Sequence, residues 1–281
     1  LNPGNSAIIE LNDMSDSGHM QSDGALVQCM VGQQPDVQIR YNWLHDTEKF
    51  GARFDGEGDG NSGYIHHNVI WNVEGGIMVK GYNHNIYNNT AFDNVNKNDI
   101  IIMIDQGGNE GTITINNAAN KIAGHRTGTY DLYPVPGIYQ NNWNGYETNL
   151  DIKDLLTDVE NNDFTPIENS ELVDGGIIYD NLDISYNGEN PDIGAYEFGG
   201  EYWIPGITWN VNQEFGEEFT FPNNLSDSLG DINNDGIVNI LDILVLIDVI
   251  LNDDTYIENG DINGDGGINI SDIILLINLI L

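Results

Sequence analysis

The sequence predicts a mostly β chain: a right-handed parallel β-helix solenoid over residues 1–198, a linker over 199–228 and a small α-helical module over 229–281. Three observations predict it. An Ile-x-x-Asn pattern recurs at spacings of 21 to 30 residues through the first half of the chain. Between its copies lie short β-branched or aromatic runs cut by Gly, Asn and Asp, with no apolar period of about 3.6 residues. Near the C-terminus a twelve-residue loop rich in Asp and Asn occurs twice, 30 residues apart, each copy leading into an apolar run.

The repeat comprises Ile9/Asn12, Ile39/Asn42, Ile65/Asn68, Ile86/Asn89, Ile113/Asn116 and Ile138/Asn141. Periods of this size mean stacked supersecondary units, each too small to bury a core alone. A parallel β-helix satisfies the pattern: each coil supplies short strands, and equivalent residues stack at about 4.8 Å. The recurring Asn then has a physical task. Its amide can bond the Asn of the next coil, a ladder that satisfies polar groups the stack would otherwise bury.

One strand of the coils carries the candidate chemistry. Aligning Ala25–Gln28, Ala52–Asp55, Ile77–Lys80 and Ile102–Asp105 turns Gln28, Asp55, Lys80 and Asp105 outward as one column, with Leu26, Arg53, Met78 and Met103 as the other. Lys80 is expected one coil from a carboxylate on each side, which makes it a substrate-binding cation. Glu57, Asp59, His66, His67 and His84 are expected on the adjoining turns. Paired carboxylates such as Asp55 with Glu57 or Asp59 suit glycoside hydrolysis, where their separation decides retention or inversion. His66 or His67 offers a base near neutral pH. The same Asp-Lys-Asp stack also describes a surface ion-pair ladder, so both readings stand at this point.

Residues 76–92 are similar to a coil of the alginate lyase and chondroitinase B family. That resemblance implies a Lys, here Lys80, that abstracts the proton α to a uronate carboxylate beside bound calcium. The chain departs from that family at Ile100–Asp105, where members carry an Arg, and at Val73–Gly76, where their calcium-binding acids are mostly missing. Residues 163–198, with Asp163-Phe-Thr-Pro166, Asn169-Ser-Glu-Leu-Val-Asp174 and Pro191-Asp-Ile-Gly-Ala-Tyr-Glu-Phe198, resemble the closing segment of secreted bacterial β-helix proteins. The resemblance implies a cap over the last coil, and Tyr196 and Phe198 are its expected anchors. In the linker, Trp203 and Trp209 suggest that it packs on something.

The duplicated loops place oxygen side chains at positions 1, 3, 5, 9 and 12: Asp231, Asn233, Asp235, Asn239 and Asp242, then Asp261, Asn263, Asp265, Asn269 and Asp272. Gly236 and Gly266 supply the sharp turn at position 6, and Ile237 and Gly267 offer backbone carbonyls at position 7. That order suits a hard, oxygen-seeking Ca²⁺ in each loop, two ions in all. Position 12 is Asp rather than the Glu usual in EF-hands, and the apolar helices, expected over 243–251 and 273–281, follow their loops. A duplicated loop-then-helix unit of this kind resembles a type I dockerin. The resemblance implies docking of a secreted polysaccharide-degrading protein onto a cohesin-bearing partner.

Composition narrows the partners. Eight Lys and Arg face 45 Asp and Glu, a formal net charge of -37, and no Lys or Arg follows Lys153. Such a field repels nucleic acid and anionic membrane surfaces. The one cysteine, Cys29, excludes an internal disulfide and reads as a small buried hydrophobe. No uncharged run reaches the roughly 18 residues of a membrane span, since Asp248 interrupts the most apolar stretch. With neither an initiator Met nor a signal peptide, the chain is expected to start after processing or to be a fragment. The resulting expectation is an extracellular or cell-surface protein acting on polysaccharide as a glycoside hydrolase or lyase. The alternative is a non-catalytic glycan-binding or spacer β-helix anchored through its docking module.

Overall fold

A computed structural model of the chain describes residues 3–18, 23–56, 60–148, 150–182, 184–206, 230–233, 238–252, 258–264 and 266–280. It divides into two compact units, Leu1–Thr208 and Trp209–Leu281. The first is a parallel β-solenoid. Each of the first five coils contributes one short strand to each of three parallel sheets, and the sixth adds a strand to two of them. In the third coil these are Tyr64–His66, Val69–Val73 and Ile77–Val79. The first two sheets hold six strands each and the third holds five.

Register follows from what each coil must bury. On the first sheet Ile9, Ile39, Ile65 and Ile86 stand over one another, and Thr114 then Tyr139 continue the column. On the second, Leu44, Ile70, Ala91 and Ala119 do the same. Ala52, Ile77, Ile100 and Ile122 complete the interior on the third. The aliphatic members of these columns meet in one buried core, with the half-buried Tyr139 packed against it, each large aliphatic side chain contributing roughly 1.5–3 kcal/mol of transfer free energy. Cys29 lies in that core, where burial pushes its thiol up to about 12.

The Asn ladder runs along the turn between the first and second sheets. The side-chain amide of Asn12 donates to Asn42 Oδ1 at 2.9 Å, Asn42 to Asn68 at 2.9 Å and Asn68 to Asn89 at 3.0 Å. Asn89 donates to Asn117 and Asn117 to Asn142, both at 2.9 Å. The last two rungs correct the sequence expectation of Asn116 and Asn141. Those two residues occupy the position before the ladder, which is left-handed in every coil: Leu11, Tyr41, His67, Asn88, Asn116 and Asn141 have φ between 47° and 55°. Asn tolerates that conformation, because its side chain bonds locally. An Asn-Asn pair therefore fills both positions, and spacing alone cannot tell which Asn is the rung.

The segment after the last coil also differs from expectation. It runs back along the outside of the second sheet instead of closing the final coil. Ile152, Leu156, Phe164, Leu172, Ile193 and Tyr196 pack there on Trp43, Val69, Phe92 and Trp143. Tyr196 is buried and accepts the indole N–H of Trp43, in the second coil, at 3.1 Å. Phe198, the other expected anchor, is exposed. In the linker Trp203 stacks on Tyr196 with centroids 4.3 Å apart, and Trp209 lies outside the described residues.

The second unit carries helices Ile240–Asn252 and Ile270–Ile280. Both start three residues before the apolar runs expected from sequence. Asn239 and Asn269 sit just ahead of them, their side-chain oxygens accepting the N–H of Leu241 at 2.8 Å and Ser271 at 2.9 Å. Ile232, Leu246 and Leu276 form the module's buried centre. Among the described residues no helix is long and apolar enough to cross a membrane.

Candidate functional site

The outward face of the third sheet brings Arg53, Asp55 and Lys80 together. Phe54 pairs with Val79, so Asp55 and Lys80 follow side by side, with Lys80 Nζ 2.6 Å from Asp55 Oδ1. The Arg53 guanidinium reaches the other oxygen of Asp55 and also Asp23 Oδ1 at 2.5 Å. Gln28 Nε2 donates to Asp55 Oδ2 at 3.3 Å, and the Gly56 N–H to its Oδ1 at 2.9 Å. Burial by itself would raise the Asp55 carboxyl. The Lys80 hydrogen bond, the Gly56 N–H and the charges of Arg53 and Lys80 outweigh it and hold the group below its usual range.

Two features depart from the expected groove. Met103, not Asp105, follows Lys80 in the column, because Ile102 pairs with Val79; Asp105 is solvent-exposed beyond the strand. On the other side Gln28 pairs with Arg53 rather than Asp55. Both shifts are two residues. A slip of two preserves which side chains face inward, and the run Ile100-Ile-Ile-Met-Ile104 is apolar in either register, so hydrophobicity could not decide. The column is also closed rather than open. The side chains of Arg53, Asp55 and Lys80 are 4%, 10% and 11% exposed, and Met78, Ile101 and Met103 beside them are buried with Phe50.

The histidines separate. His66 and His67 sit at the edge of the first sheet, bonded to each other through their Nδ1 atoms at 2.8 Å. His66 stacks on Tyr87 and His67 on Tyr41. Burial lowers both, His66 well below its ordinary value and His67 to about 3. His84 accepts the Gly63 N–H at 3.1 Å and thus donates through Nε2 to the Lys80 carbonyl at 3.0 Å. Burial takes it to about 4. It braces the backbone that carries Lys80. Glu57 and Asp59 lie outside the described residues. Asp23 was missed from sequence: its tie to Arg53 shows only once the register is known.

In the helical module Asp231, Asp242, Asp261 and Asp272 are buried, and the sequence has no Lys or Arg after Lys153. Asp242 Oδ1 accepts the N–H of Ile232 at 2.9 Å and of Asn233 at 3.1 Å, and its Oδ2 that of Asn239 at 2.8 Å. Asp272 repeats this with Asn263 at 3.2 Å and Asn269 at 2.9 Å. Each twelfth residue thus ties its loop closed. Asp235, Ile237 and Asp265 lie outside the described residues; among those described, no group of three or more acidic, His or Cys side chains is gathered to hold a metal. Buried carboxylates on loops of hard oxygen donors, in a stretch whose sequence has no Lys, Arg or His, fit a divalent cation such as calcium.

Residues 229–281 match the family model described as the dockerin type I domain. Type I dockerins bind calcium and dock onto cohesin partners, and proteins that carry them are typically extracellular or at the cell surface. No curated protein and no solved structure matches the chain. The chain is therefore a parallel β-solenoid bearing a dockerin type I domain.

Proposed function

We propose that the chain is an extracellular component of a polysaccharide-degrading assembly. Its dockerin, loaded with two calcium ions, fixes it to a cohesin-bearing partner, and its β-helix engages polysaccharide. The observation that carries this reading is the dockerin itself, with four buried aspartates and no cationic side chain in the module. The metal ligands put forward are Asp231, Asn233, Asp235, the Ile237 carbonyl, Asn239 and Asp242, then Asp261, Asn263, Asp265, the Gly267 carbonyl, Asn269 and Asp272. Both helices expose apolar side chains at equivalent places, Ile240 and Leu244 against Ile270 and Ile274, a surface suited to a protein partner.

In the body, Arg53, Asp55 and Lys80 are the groups put forward for hydrolase or lyase chemistry. A substrate oxygen would replace the exposed Asp23 carboxylate on Arg53. Asp105 and His66 stand apart from that cluster. A second reading has support of its own: Arg53 and Lys80 are already balanced by Asp23 and Asp55, as a purely structural network would be. In that case the β-helix binds glycan or spaces the dockerin without catalysis. Incubating the purified chain with a polysaccharide panel, read for new reducing ends and for unsaturated uronates, separates the two. Product formation abolished by Lys80→Ala supports the enzyme. A chain that neither converts nor binds any glycan on the panel overturns the polysaccharide reading.

A further inference from the structure

The left-handed position before the Asn ladder divides into two halves. In the fourth to sixth coils it is Asn, and each Asn holds the returning C-terminal segment. Asn88 Nδ2 donates to the carbonyls of Asp192 at 3.0 Å and Gly194 at 3.2 Å. Asn116 donates to Ile177 at 2.9 Å and Asn141 to Gly175 at 3.0 Å. In the first three coils the position holds Leu11, Tyr41 and His67 instead, at φ of 55°, 54° and 51°. Outside Gly, Asn and Asp that conformation carries a cost of about 1 kcal/mol or more per residue. Here the returning segment leaves a cleft of about 480 Å³, within the usual size range of small-ligand sites.

The cleft is built from fixed rings. Tyr196 stacks on Trp203 with an interplanar angle of 10°, and Tyr41 meets Trp203 edge-on at 5.4 Å and stacks on His67 at 4.9 Å. The Tyr196 hydroxyl accepts from Trp43 and donates to the Trp203 carbonyl at 2.8 Å, which locks the outer wall. Tyr41 and Trp203 are half-buried and Tyr186 is exposed, so ring surface remains open to a ligand. Three carboxylates border it, Glu10, Glu197 and Glu201, and no Lys or Arg lines it. Glu10 is paired with Arg40 at 2.7 Å. Glu197 accepts the N–H of Asp192 at 3.0 Å and of Asn187 at 3.2 Å, with Oε1 and Oε2 respectively.

We propose that this cleft is a binding site for a short stretch of neutral glycan, separate from the Arg53–Asp55–Lys80 cluster on the third sheet. The proposal rests on the reading that the body engages polysaccharide, and it adds the place and the charge class. Sugar rings present apolar C–H faces to aromatic rings and hydroxyl donors to carboxylates. Carboxylates without a lining cation repel uronates. Burial also pushes Glu197 up to about 7, which lessens its pull on a cation and leaves it apt to exchange hydrogen bonds with hydroxyls.

The test uses the full chain with calcium, titrated calorimetrically and by tryptophan emission with cellohexaose, xylohexaose, mannohexaose and hexagalacturonate. At least one neutral oligosaccharide binds and alters the emission. Tyr186→Ala, at an exposed site, weakens that binding about tenfold or more without lowering the melting temperature. If Tyr186→Ala and Glu201→Gln bind like wild type while Lys80→Ala loses binding, the cleft proposal is overturned and the polysaccharide reading survives. Binding of hexagalacturonate alone overturns the neutral class. Binding of no glycan at all overturns the cleft and the polysaccharide reading together.

Discussion

Replacing Asn89 with Leu removes the middle of the ladder. The Asn89 amide donates to the Ile65 carbonyl at 2.9 Å and the Tyr87 carbonyl at 3.0 Å, and its Oδ1 accepts the backbone N–H of Asn68 at 3.1 Å. The site is fully buried, so water cannot take over these groups. Leu leaves at least the Asn68 N–H and the Ile65 carbonyl without this partner. At about 1–3 kcal/mol for each buried unsatisfied group, the cost is about 2–6 kcal/mol, a large share of the roughly 5–15 kcal/mol that holds an ordinary domain together. Asn68→Leu breaks an equivalent rung, with its amide on Ile39 at 2.8 Å, and costs a similar amount. Asn142→Leu is the internal control. Asn142 ends the ladder and is only half-buried, so solvent can replace its bond to Asn117 and the cost is smaller. Urea unfolding of the calcium-loaded chain, followed by β-sheet circular dichroism, gives all three values. Unchanged stability in Asn68→Leu and Asn89→Leu, or a greater loss in Asn142→Leu, refutes the ladder as a stabilising element.

Calcium titration of the full chain should show two sites with a gain of helix, and Asp231→Ala should remove one site and leave the other; no uptake of calcium would contradict the ligand assignment. Lys80→Ala should cost about 1–3 kcal/mol, more than an exposed pair, because Asp55 is nearly buried and keeps Arg53 as its remaining cation; an unchanged urea midpoint would show that the pair contributes nothing. Asp99→Asn should stabilise the chain increasingly as pH rises. The Asp99 carboxyl is fully buried and its Oδ2 has no hydrogen-bond partner, and burial raises it from 3.8 to about 7. The folded state therefore keeps a proton that the unfolded chain has lost. That contribution is complete below 3.8 and disappears as pH climbs through about 7, so wild type loses stability across this window and the variant does not. Urea midpoints at about pH 5 and about pH 8 decide it, and a gain no larger at the higher pH would sink the assignment.

The coils were legible because two independent constraints coincide. In the first four coils an inward Ile fills the interior and an Asn three residues on satisfies the turn, while Thr114 and Tyr139 take the inward place in the last two; a chain that repeats both has few other folds open to it. What could not be read was register within a coil. Asn116 and Asn117 are equally good rungs on composition, and the apolar run 100–104 fits its neighbour in two positions two residues apart. Turn length chooses between them: Val27, Ala52, Ile77 and Ile100 stand over one another, so the coil after Ile77 is shorter than the two before it. That difference of two residues decides whether Lys80 meets Asp105 or Met103.

The same blindness explains what sequence showed of the sites. The dockerin domain was readable because its loop pattern lies within twelve consecutive residues, where spacing is itself geometry. Arg53, Asp55 and Lys80 were readable in part, since the Asp55–Lys80 pairing survives in the true register while Asp105 drops out. The aromatic cleft was not readable at all. Tyr41 and His67 lie in adjacent coils, and Tyr186, Tyr196 and Trp203 come from a segment that runs back across them more than a hundred residues later. Sequence did contain one trace of it. The position before each ladder Asn favours Asn for conformational reasons, and it departs from Asn only at Leu11, Tyr41 and His67. A departure from the residue that backbone geometry prefers marks a side chain kept for something other than the fold. Here those three side chains line the cleft.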